Sequence, residues 1–559
     1  MRTWWAFQHD KRFVYEAFRE GEFDYTEVLG AVEETRFFQM LLGEGVLQEL
    51  ALEYPTPRKK EEVPLWLYLS SELTLRLHGA TGFGAYPYIL HCGGLINALG
   101  PQQVNSYRDK QTGEKQTIFE GFNRKNHYTR TTPCDKDFLR KLAKDTEAQA
   151  LEQWFGQSVV RQYQKVEAFY EEGIFLVDGT YLFVPLENDR YEGSSRLLFD
   201  ESGHPVDKEQ YENMSPERQR RCQRRRWYRA VTLSHTTREK AYSLRCGVKV
   251  LPGKSSETPW VWPVAKQFVQ AVGKGVMKLL VFDRGLIDGE TVDRLRGVDV
   301  DSLFPLKKGM DLWEDAKVLA EKDGKPWRLY EIPEPEPPPV PFDRPEVVQR
   351  REDARQKTLQ ELRLEEPSPP PTRSLEAIEY KYIEPSLVWE SCSVPVGVLL
   401  IKNHYANGDT LDWALASTRQ FSDPLDMWHH YTIRCAIEED HRQEKLYWDL
   451  SHFQSTRFSL IVNQVVFVEI AYSFIQIFLR MIDQGKLVGK TRVRLLDLLL
   501  PHYSKVVLYY KHRYGLFNHL DFYEDLLTLK ESARQKAVAK IRQLRRRQVA
   551  PLKLPLREQ

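Results

Sequence analysis

YTIRCAIEEDHRQEK, Tyr431 to Lys445, is the stretch whose reading decides the fold, and it lies in a segment of helical character free of proline and glycine. At about 100° per residue, steps of 3, 7 and 14 from Tyr431 bring Arg434, Glu438 and Lys445 onto one stripe roughly 60° wide and about 20 Å long. One helix face therefore carries a carboxylate among a phenol, a guanidinium and an ammonium. Metal-dependent chemistry on a DNA backbone calls for such a set: the acid holds Mg²⁺ while the cations grip phosphates. The same residues also suit a solvated charged face, which is the commonest use of a charge run.

The spacing Tyr-x2-Arg-x3-Glu-x6-Lys resembles the signature of the IS-four type of DDE transposases, bacterial cut-and-paste enzymes with an RNase H-like core. Tyr431, Arg434, Glu438 and Lys445 match it position for position. That family often has Trp after the Arg and an aromatic residue two positions after the Glu. This chain has Cys435 and Asp440 there, which departs in packing and not at a catalytic position.

Length and composition bound the rest. A chain of 559 residues exceeds one core and implies about three or four units. Hydrophobic content of 42% and aromatic content of 12% place it among globular proteins. The net charge of +1 excludes a global attraction to polyanions, so DNA affinity has to come from local basic patches. Cys92, Cys134, Cys222, Cys246, Cys392 and Cys435 show no CxxC spacing, which argues against a zinc site or a disulfide framework and fits a reducing compartment. The N-terminal MRTWWAFQHDKRF lacks an apolar signal core, so a cytoplasmic, nucleoid-associated location is expected. The most apolar run, Phe458 to Ile482, is interrupted by Asn463, Gln464, Glu469 and Gln476 and reads as a buried helix.

Taken in order, residues 1–165 read as helical, with apolar periodicity in YTEVLGAVEETRFFQMLL and PLWLYLSSELTLRLHG. LHCGGLINALGPQQVNSYRDK, from Leu90 to Lys110, has helix-turn-helix texture. The following polar loop offers Arg124, Lys125 and Arg130 to phosphates or simply to water. From Tyr170 the texture turns to strands. GIFLVDGTYLFVP is an apolar run ending at Asp178, expected at an exposed strand rim, or as a turn Asp before Gly179. An arginine-dense segment, ERQRRCQRRRWYR, leads into two alternating strands, a helix at VWPVAKQFVQAVGKG and the strand MKLLVFDRG, which ends in Asp283.

The order of three strands, a helix and a fourth strand is that of an RNase H-like fold, and VDG at Asp178 and FDRG at Asp283 resemble the first and second acids of the transposase family. About 105 residues separate the two acids, longer than a minimal core, and a loop insertion of that size is cheap. The fold expected is α+β multidomain: an RNase H-like mixed five-stranded sheet flanked by helices, interrupted by a β-rich insertion, with helical N- and C-terminal regions. DSLFPLKKG, around Phe304, is the expected fifth strand. The divisions are 1–165, a helical region binding DNA ends; 166–310, the first part of the core; 311–420, the β-rich insertion with a proline-rich excursion at 332–373; 421–480, the second part with the Glu helix; and 481–559, a helical region for dimerisation and DNA.

The resemblance implies that Asp178, Asp283 and Glu438 are the catalytic residues and hold two Mg²⁺ ions per site, with Mn²⁺ able to substitute. It implies DNA-phosphate binding by Tyr431, Arg434, Lys445 and Arg284, and base stacking by Trp413 in LDWALAST, which is equally readable as a core Trp on a strand. The implied activity is cut-and-paste transposition of an insertion sequence, an endonuclease and strand-transfer reaction. The implied partners are double-stranded DNA of the element ends and target, with a homodimer in the synaptic complex and no membrane or nucleotide cofactor. The apolar DLLLPHYSKVVLYY and the basic ARQKAVAKIRQLRRRQ are expected at that dimer. Two other classes share parts of the pattern: another RNase H-like nuclease, and a non-enzymatic DNA-binding protein derived from a transposase.

Overall fold

The structure is a computed structural model and describes residues 8–29, 32–59, 63–86, 89, 95, 104–108, 115–119, 135–201, 203–238, 242–333, 374–389, 391–482 and 505–549. It divides into two compact units. The first comprises residues 1–281, 297–300 and 433–559; the second comprises 282–296 and 301–432.

The first unit is built on long antiparallel strands. β1 (Ile174–Val184) pairs with β4 (Gln223–Thr236) along its whole length, from Ile174 opposite Thr236 to Val184 opposite Arg226. The far edge of β4 is shared: β2 (Ser195–Phe199) lies against Gln223–Trp227, and β5 (Ser243–Pro252) lies against Tyr228–Thr236. β3 (Pro205–Val206) closes a small hairpin with β2, and β6 (Leu279–Phe282), whose last residue opens the second unit, adds to the free edge of β1. Helix α1 (Val261–Val272) precedes β6. Burial runs through consecutive residues of these strands, Ile174 to Val177 in β1 and all four residues of β6, so both faces of the sheet are covered, as their continuous apolar runs require.

Asp178 is a correction to the sequence reading. It sits in the middle of β1, opposite Thr232, half-buried, at neither a strand rim nor a turn. Gly179 beside it is explained by a close approach, because a Cβ there would lie 2.5 Å from the Glu257 carboxyl.

The second unit is an antiparallel sheet in the order β8 (Arg328–Glu331), β9 (Leu375–Trp389), β10 (Cys392–Tyr405), β11 (Thr410–Ser417) and β7 (Asp301–Pro305). Of the proline-rich excursion at 332–373, all but Ile332 and Pro333 fall outside the described residues.

The helical reading of Tyr431–Lys445 as one continuous face is also corrected. α2 (Pro424–Thr432) ends before Ile433, and α3 (Cys435–Tyr447) starts anew with Arg434 as its N-cap. Neither glycine nor proline marks the break. Thr432 instead turns its hydroxyl onto the His429 carbonyl at 2.8 Å, a local bond that competes with the helical ladder. Tyr431 thus belongs to the second unit, and Arg434, Glu438 and Lys445 to the first.

Helix α4 (Phe458–Met481) is buried from Leu460 to Leu479. It is long and apolar enough to cross a membrane by composition, yet 89% of its apolar window is inside the fold. Its polar residues have partners there: Asn463 donates to Glu72 Oε1 at 3.1 Å and Gln464 to the Asp449 carbonyl at 2.8 Å.

The two chain ends overturn a further pair of expectations. Tyr25–Leu29 and Lys505–Tyr510, both read as helical, are strands that pair with each other, and Arg513–Asn518 and Gln8–His9 complete a four-stranded sheet. Val506, Val507, Leu508 and Tyr509 are buried within the chain itself, against Val14, Phe18, Phe23 and Phe522 or beside Tyr514. The β-branched and aromatic run was suited to a pleated surface, and its partner strand lies some 480 residues away in sequence. Of the apolar stretch attributed to a dimer contact, Val506 to Tyr509 are covered within this sheet, and residues 497–504 lie outside the described residues. The basic helix Glu531–Val549 is present and buries Ala533, Ala537 and Leu544. Residues 1–165 contain helices such as Leu65–Leu77 and also the strands Val104–Arg108 and Lys115–Phe119. Most of Leu90–Lys110, together with Arg124, Lys125 and Arg130, lies outside the described residues.

Candidate active site

In the first unit α3 packs on the face of β1 that carries Asp178 and Thr180. Lys445 in its last turn donates to Thr180 Oγ1 at 2.6 Å. Burial lowers the Lys445 ammonium to about 8, with Glu444 and Asp178 pulling the other way, so Asp178 lies within electrostatic reach of this amine. Glu438 is in the first turn of the same helix, seven residues or about 10 Å along the axis. Its carboxylate is half exposed and pairs with Arg434, Nη2 to Oε1, at 2.7 Å. Arg434, Glu438 and Lys445 share a face of α3, while Tyr431 falls off it with the helix break.

In the second unit Asp283 follows β6 and caps a short 3-10 turn, Arg284–Leu286, with Arg284 exposed beside it. The Tyr431 hydroxyl lies 3.4 Å from Asp283 Oδ1. Trp413 on β11 is half-buried, donates Nε1–H to Asn403 Oδ1 at 3.0 Å and meets the Tyr431 ring at 5.6 Å between centroids, tilted by 52°. Trp413, Tyr431 and Asp283 therefore form one connected row.

The opposite face of α3 carries a feature that sequence reasoning missed. Arg245 on β5 is fully buried among three carboxylates. Its Nε lies 2.7 Å from Glu444 Oε1 and 3.0 Å from Glu469 Oε2, and its Nη1 lies 3.8 Å from Asp440 Oδ2. Asp440 also accepts from Ser243 Oγ and from the Tyr472 hydroxyl at 3.2 Å. Burial pushes Glu469 well above the usual carboxylate range, and neighbouring Glu444 adds to the effect. Burial is the largest influence on Glu444 and opposes its charge, but the Arg245 guanidinium and the His441 ring together outweigh it and keep that carboxyl low. The cluster locks α3 to β5 and α4 and so sets where Glu438 and Lys445 project. Asp440, the departure from the family pattern, is one of its anchors; the polar pair at i and i+4, Asp440 and Glu444, was the signal available in the sequence.

Carboxylate oxygens are the donors that Mg²⁺ takes, so the side chains of Asp178, Asp283 and Glu438 fit the ion chemically. Among the described residues no three His, Cys, Asp or Glu side chains stand together as a ready metal cluster. Glu438 is instead engaged by Arg434, and Asp283 is approached by Tyr431.

A family model described as a transposase DDE domain matches residues 191–474, just over half of the chain. The chain belongs to the DDE transposase family, whose fold is RNase H-like. The match includes Asp283, Arg284, Trp413, Tyr431, Arg434, Glu438 and Lys445, and starts after Asp178. No curated protein matches the chain. Among solved structures it is similar to a chain of a piggyBac transposase synaptic complex with hairpin DNA, at 9% identity and a TM-score of 0.31. The alignment covers 66% of this chain and 62% of that one, a likeness too low to carry an argument.

Proposed function

We propose that this protein is a transposase of the IS-four type that cleaves DNA at the ends of an insertion sequence and joins them to a target. Asp178, Asp283 and Glu438 are the carboxylates that hold divalent cations in this reading. When bound, the cations supply neutralisation of charge at the attacking and leaving oxygens of the phosphodiester. The observation that carries the proposal is the contact of Lys445 with Thr180, which ties the helix bearing Glu438 to the strand bearing Asp178.

The chain's own residues divide the remaining work. Lys445 and Arg434 present cations to phosphate oxygens, Arg434 by exchanging its bond to Glu438 for one to the backbone. That exchange frees the Glu438 carboxylate at the moment DNA arrives. Arg284, exposed beside Asp283, takes a phosphate in the same way. Tyr431 orients Asp283 through its hydroxyl, and the Trp413 ring, tethered by Asn403, is positioned to stack on an unpaired base. Cutting and joining two ends calls for two active sites, so a homodimer is expected on paired ends and light scattering of that complex should report two chains.

The test is incubation of purified protein with Mg²⁺ or Mn²⁺ and DNA carrying the ends of the encoding element. Strand cleavage at the element boundary is expected. Binding of the ends without cleavage under either metal would instead favour a DNA-binding protein derived from a transposase, and cleavage indifferent to the end sequence would favour a general nuclease.

A further inference from the structure

An arm of the first unit extends beyond the strand that carries Asp178, and folding uses only part of its positive charge. From Arg218 to Arg229 the chain carries seven arginines and no acid. After Val184 the backbone runs through residues 185–194, the β2–β3 hairpin and the short helices Lys208–Glu212 and Pro216–Arg221 before it returns as β4. Pairing between β1 and β4 stops at Val184 opposite Arg226, so Gln223, Arg224 and Arg225 project past the end of β1 with only β2 beside them.

Some of these arginines have structural work. Arg226 is buried, donates to Ser194 Oγ at 2.9 Å and pairs with Asp189, fastening the 185–194 segment. Arg196, directly opposite Arg226 across the strands, shares that same aspartate. Arg221 pairs with Glu201 at 3.0 Å, and Arg225 lies over the Phe183 ring at 4.8 Å. Arg218, Arg220 and Arg224 are different: all three are exposed and, among the described residues, make no ion pair. Exposed arginines without an acid partner are available to a polyanion.

Their placement selects the polyanion. Asp178 is opposite Thr232, and alternate residues toward the tip, Ala230, Tyr228, Arg226 and Arg224, lie on the same face of the sheet as that acid. Eight residues of strand span about 26 Å. At 3.4 Å of rise per step this is about eight base pairs of duplex. We propose that this arm grips the phosphate backbone of duplex DNA, with Arg224 contacting phosphates about eight base pairs from the bond that Asp178 helps to cut and Arg218 and Arg220, on the adjoining helix, adding further phosphate contacts. The inference rests on the strand-cleaving role given to Asp178.

The experiment uses the full chain with Arg218→Gln, Arg220→Gln and Arg224→Gln combined, tested on end-bearing and random duplexes over a salt series. Affinity should fall by the same factor for both duplexes, and the slope of log K against log salt should flatten by about two to three. Hydroxyl-radical protection about eight base pairs from the cleaved bond should disappear while thermal unfolding stays unchanged, since the three side chains are exposed. Unchanged affinity and slope would overturn the proposal. So would loss of binding to RNA or an acidic peptide with duplex binding intact. A wild-type protein that binds duplex through the arm yet never cuts element ends would sink the transposase reading and leave the arm's phosphate contacts standing.

Discussion

The two faces of the helix Cys435–Tyr447 carry similar residue types and use them in opposite ways. On the inward face Asp440 and Glu444 are buried and locked to Arg245, each with further partners. On the outward face Glu438 is half exposed and pairs with the half-buried Arg434, and the half-buried Lys445 donates to Thr180. Charge fully desolvated and fully paired acts as a fixture, whereas half-exposed charge can exchange partners when a ligand arrives. The inward cluster is thus the scaffold that makes the outward stripe reproducible.

Removing the fixture should have the largest effect on stability. Arg245→Met leaves Asp440 and Glu444 buried without their cation and should cost about 3–5 kcal/mol in chemical denaturation. Glu469→Gln, in contrast, replaces a carboxyl whose charged form burial and Glu444 disfavour, and should stay within about 1 kcal/mol. Equal losses in the two variants would mean that Glu469 is ionised and that the cluster is balanced differently.

A smaller effect belongs to His235, on β4 next to the Ser234 that also accepts from Arg245. Its Nε2 accepts the Tyr170 backbone N–H at 3.0 Å, so Nδ1 carries the proton and donates to the Ile174 carbonyl. Burial lowers this imidazole to about 4. The unfolded chain takes up a proton below about 6.5 while the folded chain does not. This part of the stability is therefore complete above pH 6.5 and is lost as pH falls toward 4, by roughly 3 kcal/mol at most. His235→Gln should flatten that limb of the stability profile, and an unchanged profile would assign the acid sensitivity elsewhere.

On the outward face the effects move from stability to binding. Lys445→Ala and Arg434→Ala should each weaken binding of cleaved ends about tenfold and lower the salt slope by about one, with little change in unfolding. A loss of stability comparable to that of Arg245→Met would erase the distinction between the two faces.

How much of this was readable from sequence follows the same division. The alternating strand Ser243–Pro252, the β-rich run Cys392–Tyr405 and the apolar helix Phe458–Met481 announce themselves locally. The Glu438 spacing and the apolar stretches leading to Asp178 and Asp283 were visible for the same reason. Three features were not. The pairing of Tyr25–Leu29 with Lys505–Tyr510 is a contact between chain ends, and no local pattern encodes which strand completes which. The break at Ile433–Arg434 carries no glycine or proline, and the Thr432 hydroxyl bond to the His429 carbonyl beside it leaves no mark in the sequence. Asp440 looked like an aberration in a charged helix because its partners, Ser243, Arg245 and Tyr472, come from elements brought together only by the fold.

The central claim is that Asp178, Asp283 and Glu438 act as one catalytic set, and single alanine variants of each, assayed for Mg²⁺-dependent cleavage of end-bearing DNA alongside end binding, test it most directly. All three are expected to lose cleavage while end binding and thermal unfolding remain close to those of the unmodified protein. Cleavage at the unmodified rate in any one of the three variants would contradict it.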